Sequence, residues 1–159
     1  MSVETVAEPG ALLQLASFFV DQEEYGVDIA LIQEIVRMAE ITRVPRSPEF
    51  VEGVVNLRGK IVPVIDLRRR FGFAPAEHTK QTRIIIVSVA QRTLGLIVDG
   101  VSEVLRLAAD AIDPTPDMVR SGGDSSFLKG VGKREDRLLL LLDLGRLLGR
   151  DELESLSAL

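Results

Sequence analysis

Short apolar runs separated by turn-forming residues make up most of this 159-residue chain. Leu12–Val20 is rich in leucine and phenylalanine, and an acidic turn separates it from a second apolar run that starts at Tyr25. Arg83–Ala90 and Thr93–Val98 repeat that arrangement around a short polar turn. Many short strands at spacings of about 8–12 residues, with turn residues between them, are typical of sandwiches and barrels. The pattern therefore predicts a mainly β protein.

The stretch Phe50–Gly72 contains the most distinctive turn in the sequence. Apolar runs flank Arg58 and Gly59, and a glycine can adopt the positive φ that a two-residue hairpin requires. This predicts a β-hairpin with Arg58 at its tip. Asp66 follows the second apolar run, where its side chain is predicted to cap a short helix that ends at Gly72.

The same stretch occurs a second time. Phe127–Gly149 aligns with Phe50–Gly72 without a gap, and Tyr25–Ile35 aligns with Leu94–Val104. The parts come in the same order in both halves, which predicts one chain built from two copies of a β-rich unit. The matching positions of the long stretch include Gly53 with Gly130, Val54 with Val131, Asp66-Leu67 with Asp143-Leu144, and Arg69 with Arg146.

Other segments are less regular. The apolar residues of Ile29–Val36 recur at helical spacing and predict a short helix, Met38–Val44 predicts another strand, and Asp99-Gly100 predicts a turn. The prolines and glycines of residues 110–123 predict a loop. The predicted domain organisation is a flexible tail at residues 1–11, one domain of two interleaved units at 12–150 with a polar seam near 72–82, and a tail or short helix at 151–159.

Composition argues against catalysis. The chain has one histidine and no cysteine, so it has no thiolate metal site and no cysteine nucleophile. His78 lies beside Glu77 in the polar connector, where a solvated role is more common than a catalytic one. We therefore predict no catalytic, metal-binding or cofactor-binding residues. An enzyme would instead require a pocket of convergent carboxylates with perturbed pKa values.

Net charge and hydropathy restrict the classes of partner and the cellular location that the sequence predicts. A net charge of −5 argues against a nucleic-acid-binding barrel, which would show salt-sensitive binding to oligonucleotides. The longest apolar runs are far shorter than the roughly 20 residues that span a bilayer, and the first residues do not form a secretory signal. These features predict a cytoplasmic protein without direct membrane insertion.

A protein-binding surface is the remaining functional interpretation. Arg58 is a long cation at a hairpin tip, and Val98, Val101 and Val104 flank a predicted turn, so they are not expected to face a single core. The alternatives are a solvated turn residue and ordinary core packing. In the functional interpretation the valines supply buried area in a groove where the two units meet, and Arg58 supplies a planar charged contact.

The sequence resembles the CheW-type coupling proteins of bacterial chemotaxis over about Leu12–Arg150. The residues that carry the resemblance are Tyr25–Ile29, Gln33–Ile35, Gly53–Gly59, Ile61–Arg68 and Val98–Val104, with a weaker match at Gly130–Gly132 and Leu142–Leu144. The resemblance implies an all-β fold of two packed five-stranded SH3-like barrels with a few short helices. Gly145 departs from the expected final helix and should weaken it by up to about 1 kcal/mol.

The resemblance also implies a function. It implies a non-catalytic adaptor, without a cofactor, that couples the helical tip of methyl-accepting chemoreceptors to the regulatory domain of the histidine kinase CheA. It leaves open whether the pathway controls motility or another behaviour. The implied receptor-binding groove comprises Arg58, Val98, Val101 and Val104, and the implied kinase-binding residues are Ile32, Glu34 and Val36.

Overall fold

The structure is a computed structural model that describes residues 11–113, 127–148 and 152. Strands dominate these residues, with short helices between them. The strands are β1 (Leu12–Val20), β2 (Glu23–Asp28), β3 (Ile32–Arg37), β4 (Val51–Leu57), β5 (Lys60–Asp66), β6 (Arg83–Val89), β7 (Arg92–Val98), β8 (Gly100–Ala108), β9 (Ile112–Asp113), β10 (Leu128–Arg134) and β11 (Arg137–Leu142). The α-helices α1 (Leu67–Phe71) and α2 (Leu144–Leu147) follow β5 and β11, and 3-10 turns at Ile29–Leu31 and Ala109–Ala111 precede β3 and β9.

The strands form two sheets with the same internal order. One sheet runs β8-β1-β2-β11-β10-β9 and the other runs β3-β6-β7-β5-β4. In the repeat, strands β6, β7 and β8 of the second copy correspond to β1, β2 and β3 of the first copy. Strands β10 and β11 likewise correspond to β4 and β5. When equivalent strands are matched in this way, the two sheets have the same strand order. The parallel pairings also coincide, since Leu141 pairs with Gly26 and Val64 pairs with Gly95. Each copy therefore places its first hairpin in the sheet of the other copy.

The chain passes between the sheets at two points. The first crossing is the 3-10 turn Ile29–Leu31, between β2 and β3, and the second is Asp99, between β7 and β8. Residues 72–82, the predicted seam, connect α1 to β6, and β6 belongs to the same sheet as β5. Exchange of the first hairpins explains why a polar connector in the middle of the chain does not separate the sheets.

The described residues form three apolar cores, one of which holds the two sheets together. The largest contains buried residues of both sheets, such as Phe18 and Tyr25 of one and Ile85 and Val98 of the other. The other two cores each draw on a single sheet: one consists of Val55, Val62, Val64, Ile84, Ile86 and Ile97, and the other of Leu15, Leu105, Leu107, Leu139 and Leu141. Strand β6 shows why the sequence has continuous apolar runs, because its alternate residues enter the shared core and the core of their own sheet.

Aromatic side chains fix helix α1 against the shared core. The ring of Phe71 stacks on Phe127 with centroids 4.6 Å apart and lies 4.9 Å from the ring of Tyr25, which in turn stacks on Phe18. Burial raises the pKa of the Tyr25 phenol, so this side chain stays neutral. The helix that follows the Arg58 hairpin is thus attached to both sheets.

The predicted mainly β fold of two packed units with a few short helices is confirmed, although one unit is a sheet of six strands where five were expected. Three local predictions were wrong. Residues 32–36 of the predicted helix Ile29–Val36 belong to strand β3, where the side chains alternate between half-buried and exposed positions. β-branched residues favour that outcome. Met38–Val44 forms only an isolated bridge from Thr42 to Val54, and Asp99 carries the chain onward to the other sheet instead of reversing it. Of the predicted loop at 110–123, residues 114–123 lie outside the described residues, as do the first ten residues and most of the C-terminal tail.

The predicted helix cap at Asp66 is present, and its repeat equivalent Asp143 caps α2. The Asp66 carboxylate accepts a hydrogen bond of 3.0 Å from the Arg68 amide, and that of Asp143 accepts one of 3.0 Å from the Gly145 amide. Burial raises the pKa of the Asp66 carboxyl, although the hydrogen bond from the Arg68 amide acts in the opposite direction. The half-buried Asp66 carboxylate therefore gains a hydrogen bond from capping but loses hydration through partial burial.

Replacing Asp66 by asparagine should retain the cap without the charge. Because the folded-state pKa is raised, the carboxyl contributes most to stability below its unfolded-state pKa and loses that contribution as the pH rises through the folded-state value. Asp66→Asn should therefore be at least as stable as the native chain near pH 7, by thermal melting, and lose this advantage near pH 4. Asp66→Ala, the control without a cap, should lose about 1 kcal/mol at neutral pH. Equal losses in both variants would contradict the desolvation argument.

Candidate functional site

The β4–β5 hairpin presents Arg58 at its tip. Leu57 pairs with Lys60, so only Arg58 and Gly59 form the loop, and both have positive φ, of 52° and 84°. Consecutive positive φ values produce the turn whose twist matches that of the flanking strands. The Asn56 side chain accepts a hydrogen bond of 2.8 Å from the Gly59 amide and holds the turn. The sequence Asn-Leu-Arg-Gly thus forms the predicted tip.

Arg58 is paired with Glu34 across the sheet. Its Nη1 donates to Glu34 Oε1 at 3.1 Å, and its Nη2 donates to Glu34 Oε2, so the contact is bidentate. The Arg58 side chain is 72% exposed, whereas that of Glu34 is 27% exposed. Hydrogen bonding to Glu34 and then the attraction between the charges raise the pKa of the Arg58 guanidinium. The pair fixes the direction of an exposed guanidinium, and exposed pairs of this kind add little to stability.

The three valines of the implied receptor groove do not share one environment. Val98 lies at the end of β7 with 0% of its surface exposed and packs in the shared core. Val101 and Val104 lie on β8, where 36% and 55% of their surfaces are exposed. Of these three valines, Val101 and Val104 are accessible to a partner in this conformation, and Val98 is not.

The residues implied for kinase binding lie on the edge strand β3. Ile32 packs partly against the shared core, Val36 packs partly against the core of its own sheet, and Glu34 between them holds Arg58. Ile35 points the other way and is 40% exposed. Ile35 was not among the predicted site residues, although the repeat aligns it with Val104, which was.

The two implied surfaces occupy equivalent strands of the two copies. In the alignment, Ile32 of β3 corresponds to Val101 of β8, and Glu34 corresponds to Glu103. Glu103 also pairs with an arginine of the neighbouring hairpin, since its Oε2 lies 3.8 Å from Arg137 Nη2. The structure joins Arg58 to Glu34 in the five-stranded sheet and places Val101 and Val104 in the six-stranded sheet.

Two further exposed apolar side chains were not predicted from the sequence. They occupy equivalent positions in the two copies. Ile61 and Leu138 are 60% and 61% exposed, and each is the second residue of the strand after its hairpin tip. The gapless alignment of the two long stretches pairs them and could have found them. Both hairpins therefore display a large apolar side chain beside their tips.

Groups that could carry chemistry are few in the part of the chain that the structure describes. That part contains no group of three or more His, Cys, Asp or Glu residues that could hold a metal ion. His78 is exposed in the connector. Asp66, the carboxyl whose pKa is raised, caps a helix. Over the described ranges, no helix has both the length and the apolar character needed to cross a lipid bilayer.

Comparison with known proteins agrees with the fold and with the sequence motifs. The CheW-like domain family matches residues 14–152. The chemotaxis protein CheW of Klebsiella aerogenes is 40% identical over 136 residues, which cover 86% of this chain and 81% of that protein. The CheW of Helicobacter pylori is 36% identical over 140 residues, 88% of this chain and 84% of that protein.

A solved structure shows the same architecture. The crystal structure of the scaffolding protein TtCheW from Thermoanaerobacter tengcongensis superposes with a TM-score of 0.80 at 38% sequence identity, covering 91% of this chain and 96% of that one. The match of the domain over most of the chain, the identity with curated relatives and the shared fold lead to one conclusion. The chain belongs to the CheW-like domain family.

Proposed function

We propose that this protein is a non-catalytic adaptor that couples the cytoplasmic tips of methyl-accepting chemoreceptors to the regulatory domain of the histidine kinase CheA. The observation that carries the proposal is the Arg58–Glu34 pair, which holds a largely exposed guanidinium in a fixed direction on a hairpin tip. Family membership supports it, because the relatives are named chemotaxis proteins and the solved neighbour is described as a scaffolding protein. The proposed site of action is the cytoplasm.

A rigid double sheet suits this role. The shared core contains residues of both sheets and the aromatic stack of α1, so the two sheets are packed as one unit. Partners bound to surface positions of such a unit are held at a defined separation and angle. Receptor states that fit the assembly differently then shift the equilibrium of the kinase without any chemistry in the adaptor.

The proposed division of the surface follows the two equivalent strands. Arg58, Val101 and Val104 make up the proposed exposed receptor side, and Val98 is its buried member in the shared core. Ile32, Glu34 and Val36 of β3 make up the proposed kinase side. The Arg58–Glu34 pair joins the two sides, because one residue of each takes part in it. A partner that draws either side chain away leaves the other without its ion-pair partner. This contact provides a direct physical link between receptor and kinase binding.

Arg58→Ala should weaken assembly with little effect on the fold. The side chain is mostly solvated, so its removal leaves no cavity and should leave the melting temperature close to the native value. Loss of a directed guanidinium at an interface should lower the affinity about fivefold or more. The measurement is a titration with a purified receptor-tip fragment and, separately, with the kinase regulatory domain, beside a thermal melt.

Two matched variants complete that experiment. Lys60→Ala removes a cation from the same hairpin and should leave both affinities close to native. Glu34→Gln keeps the side-chain shape but releases Arg58, so the affinity for the kinase domain should fall while Arg58 stays available to the receptor tip. If Arg58→Ala binds both partners normally and melts much earlier, Arg58 is a structural residue and the proposed coupling contact is wrong.

A further inference from the structure

The two copies of the unit differ at one junction, the place where the short helix, the turn of the first hairpin and the crossing between the sheets meet. In the first copy, Arg68 of α1 donates from Nη2 to Asp21 Oδ1 at 3.0 Å, in the β1–β2 turn. Its Nη1 donates to Asp99 Oδ2 at 2.5 Å, where the chain crosses between the sheets, and its Nε donates to the carbonyl of Ala74 at 3.0 Å. The Arg68 side chain is only 13% exposed. One enclosed guanidinium thus joins the helix, the turn and the crossing.

At the equivalent junction all three charged residues are replaced by small ones. In the alignment of the two copies, Gly145 occupies the position of Arg68, Ala90 that of Asp21, and Ala30 that of Asp99. The local backbone agrees, since Asp21 and Ala90 both have positive φ, of 58° and 50°, in their two-residue turns. The second junction lacks the long side chain that fills the first.

A cavity of about 180 Å³ lies at this second junction. Gly145 and Ala90 line it, and a Cβ added to Gly145 would meet only the Asp143 carboxylate, at 3.3 Å. The remaining lining residues are Asp28, Leu31, Ser88, Val89, Lys129, Leu142, Asp143 and Leu144. Because Gly145 and Ala90 are the equivalents of Arg68 and of its partner Asp21, the cavity lies at the position that corresponds to the Arg68 side chain of the first copy.

Two carboxylates face this cavity. Asp28 accepts one hydrogen bond of 2.9 Å, from the Ala30 amide, and no cation pairs with it among the described residues. Asp143 accepts from the Gly145 amide and lies 3.4 Å from the Nε of Arg146. Arg146 is not the missing occupant, because its equivalent in the first copy, Arg69, contacts Glu52 and the carbonyl of Glu49 instead of the Arg68 partners. Lys129 is the one cation in the lining, and its side chain is exposed to solvent.

We propose that this cavity receives an arginine side chain of a partner protein, which would complete from outside the junction that Arg68 completes from within. The aliphatic stem of an arginine fits beside Val89, Leu142 and Leu144, and the planar guanidinium reaches the carboxylates. Arginine is favoured over lysine because a guanidinium is more weakly hydrated than an ammonium and donates in a fork that matches a carboxylate. The net charge of −5 attracts cationic partners.

The test uses the whole chain and a small probe, so it does not depend on the receptor or the kinase. Nα-acetyl-arginine amide is titrated into the 15N-labelled protein, and amide shifts are followed by NMR. Saturable shifts confined to the residues around Ala90 and Gly145 are expected. Nα-acetyl-citrulline amide, which has the same shape without the charge, and Nα-acetyl-lysine amide should produce clearly smaller shifts.

Two variants connect the probe to the cavity. Asp28→Asn retains the cap of the 3-10 turn and removes the unpaired charge, so the affinity for the arginine probe should fall about threefold to fivefold. Gly145→Arg supplies the missing side chain from within, and should abolish the shifts and raise the melting temperature. No saturable shift, equal shifts with the citrulline or lysine probe, or an unchanged affinity in Asp28→Asn would each overturn the proposal.

Discussion

Gly53→Ala is expected to destabilise the protein by about 3 kcal/mol, the largest effect among the single changes considered. A Cβ at this position would lie 2.4 Å from the backbone oxygen of Thr42 and 2.6 Å from Cγ2 of Ile41. Moving that segment away would break the two hydrogen bonds between Thr42 and Val54, of 2.9 and 2.8 Å. Chemical denaturation measures the loss directly.

The repeat and a matched control sharpen this test. Gly130, the equivalent glycine, is also enclosed, since a Cβ there would lie 2.9 Å from the Asp113 carbonyl oxygen, so Gly130→Ala should destabilise as well. Gly100→Ala is the control, because the nearest atom would be 3.8 Å away, and it should change stability by under about 0.5 kcal/mol. Similar midpoints for Gly53→Ala and Gly100→Ala would show that the Thr42 segment moves freely, contrary to the packing described above.

Val98→Ala should cost about 2 kcal/mol of stability, because it removes two methyl groups from a fully buried site in the shared core and leaves a cavity. Val104→Ala removes the same atoms from a side chain that is 55% exposed, and should change stability by under about 0.5 kcal/mol. The two variants are therefore a matched pair with opposite expected effects. Chemical denaturation and titration with a receptor-tip fragment are the two measurements.

The affinities of these two variants for the receptor-tip fragment should show the opposite pattern to their stabilities. Val104→Ala should weaken receptor binding several-fold if β8 carries the proposed contact, whereas Val98→Ala, at a temperature where it is folded, should bind close to the native affinity. A Val98→Ala variant of native stability that loses binding would mean that the side chain leaves the core when the partner arrives. That result would mean that Val98 contacts the partner directly.

Local patterns were sufficient for much of the fold. The Arg58-Gly59 hairpin, the capping roles of Asp66 and Asp143 and the internal repeat all follow from short-range signals, because turns require particular φ values and caps require a side-chain acceptor at a helix start. The motif around the hairpin is also specific enough to indicate the family that the comparisons confirm. These features depend on few residues that are close together in the chain.

Two of the failed local predictions have identifiable and different causes. Ile29–Val36 matches helical spacing because β3 is an edge strand that carries apolar side chains on both faces: Ile32 and Val36 pack inward, and Ile35 is exposed. A strand that is apolar on both faces loses the two-residue alternation that would identify it. Asp99-Gly100 has turn-forming residues, yet the chain does not reverse there, since β8 pairs with β1 of the other sheet.

Residue types and their spacing along this chain establish its strands, its turns, its repeat and its family. Three decisive features depend on the assembled fold: the exchange of first hairpins between the sheets, the burial of Val98 and the pairing of Arg58 with Glu34. Each joins segments that are distant in the chain, and such segments meet only when the sheets and their cores have assembled. A periodicity of two residues specifies which side chains share a face, but only the packing of the sheets specifies whether that face meets a core, a neighbouring charge or solvent.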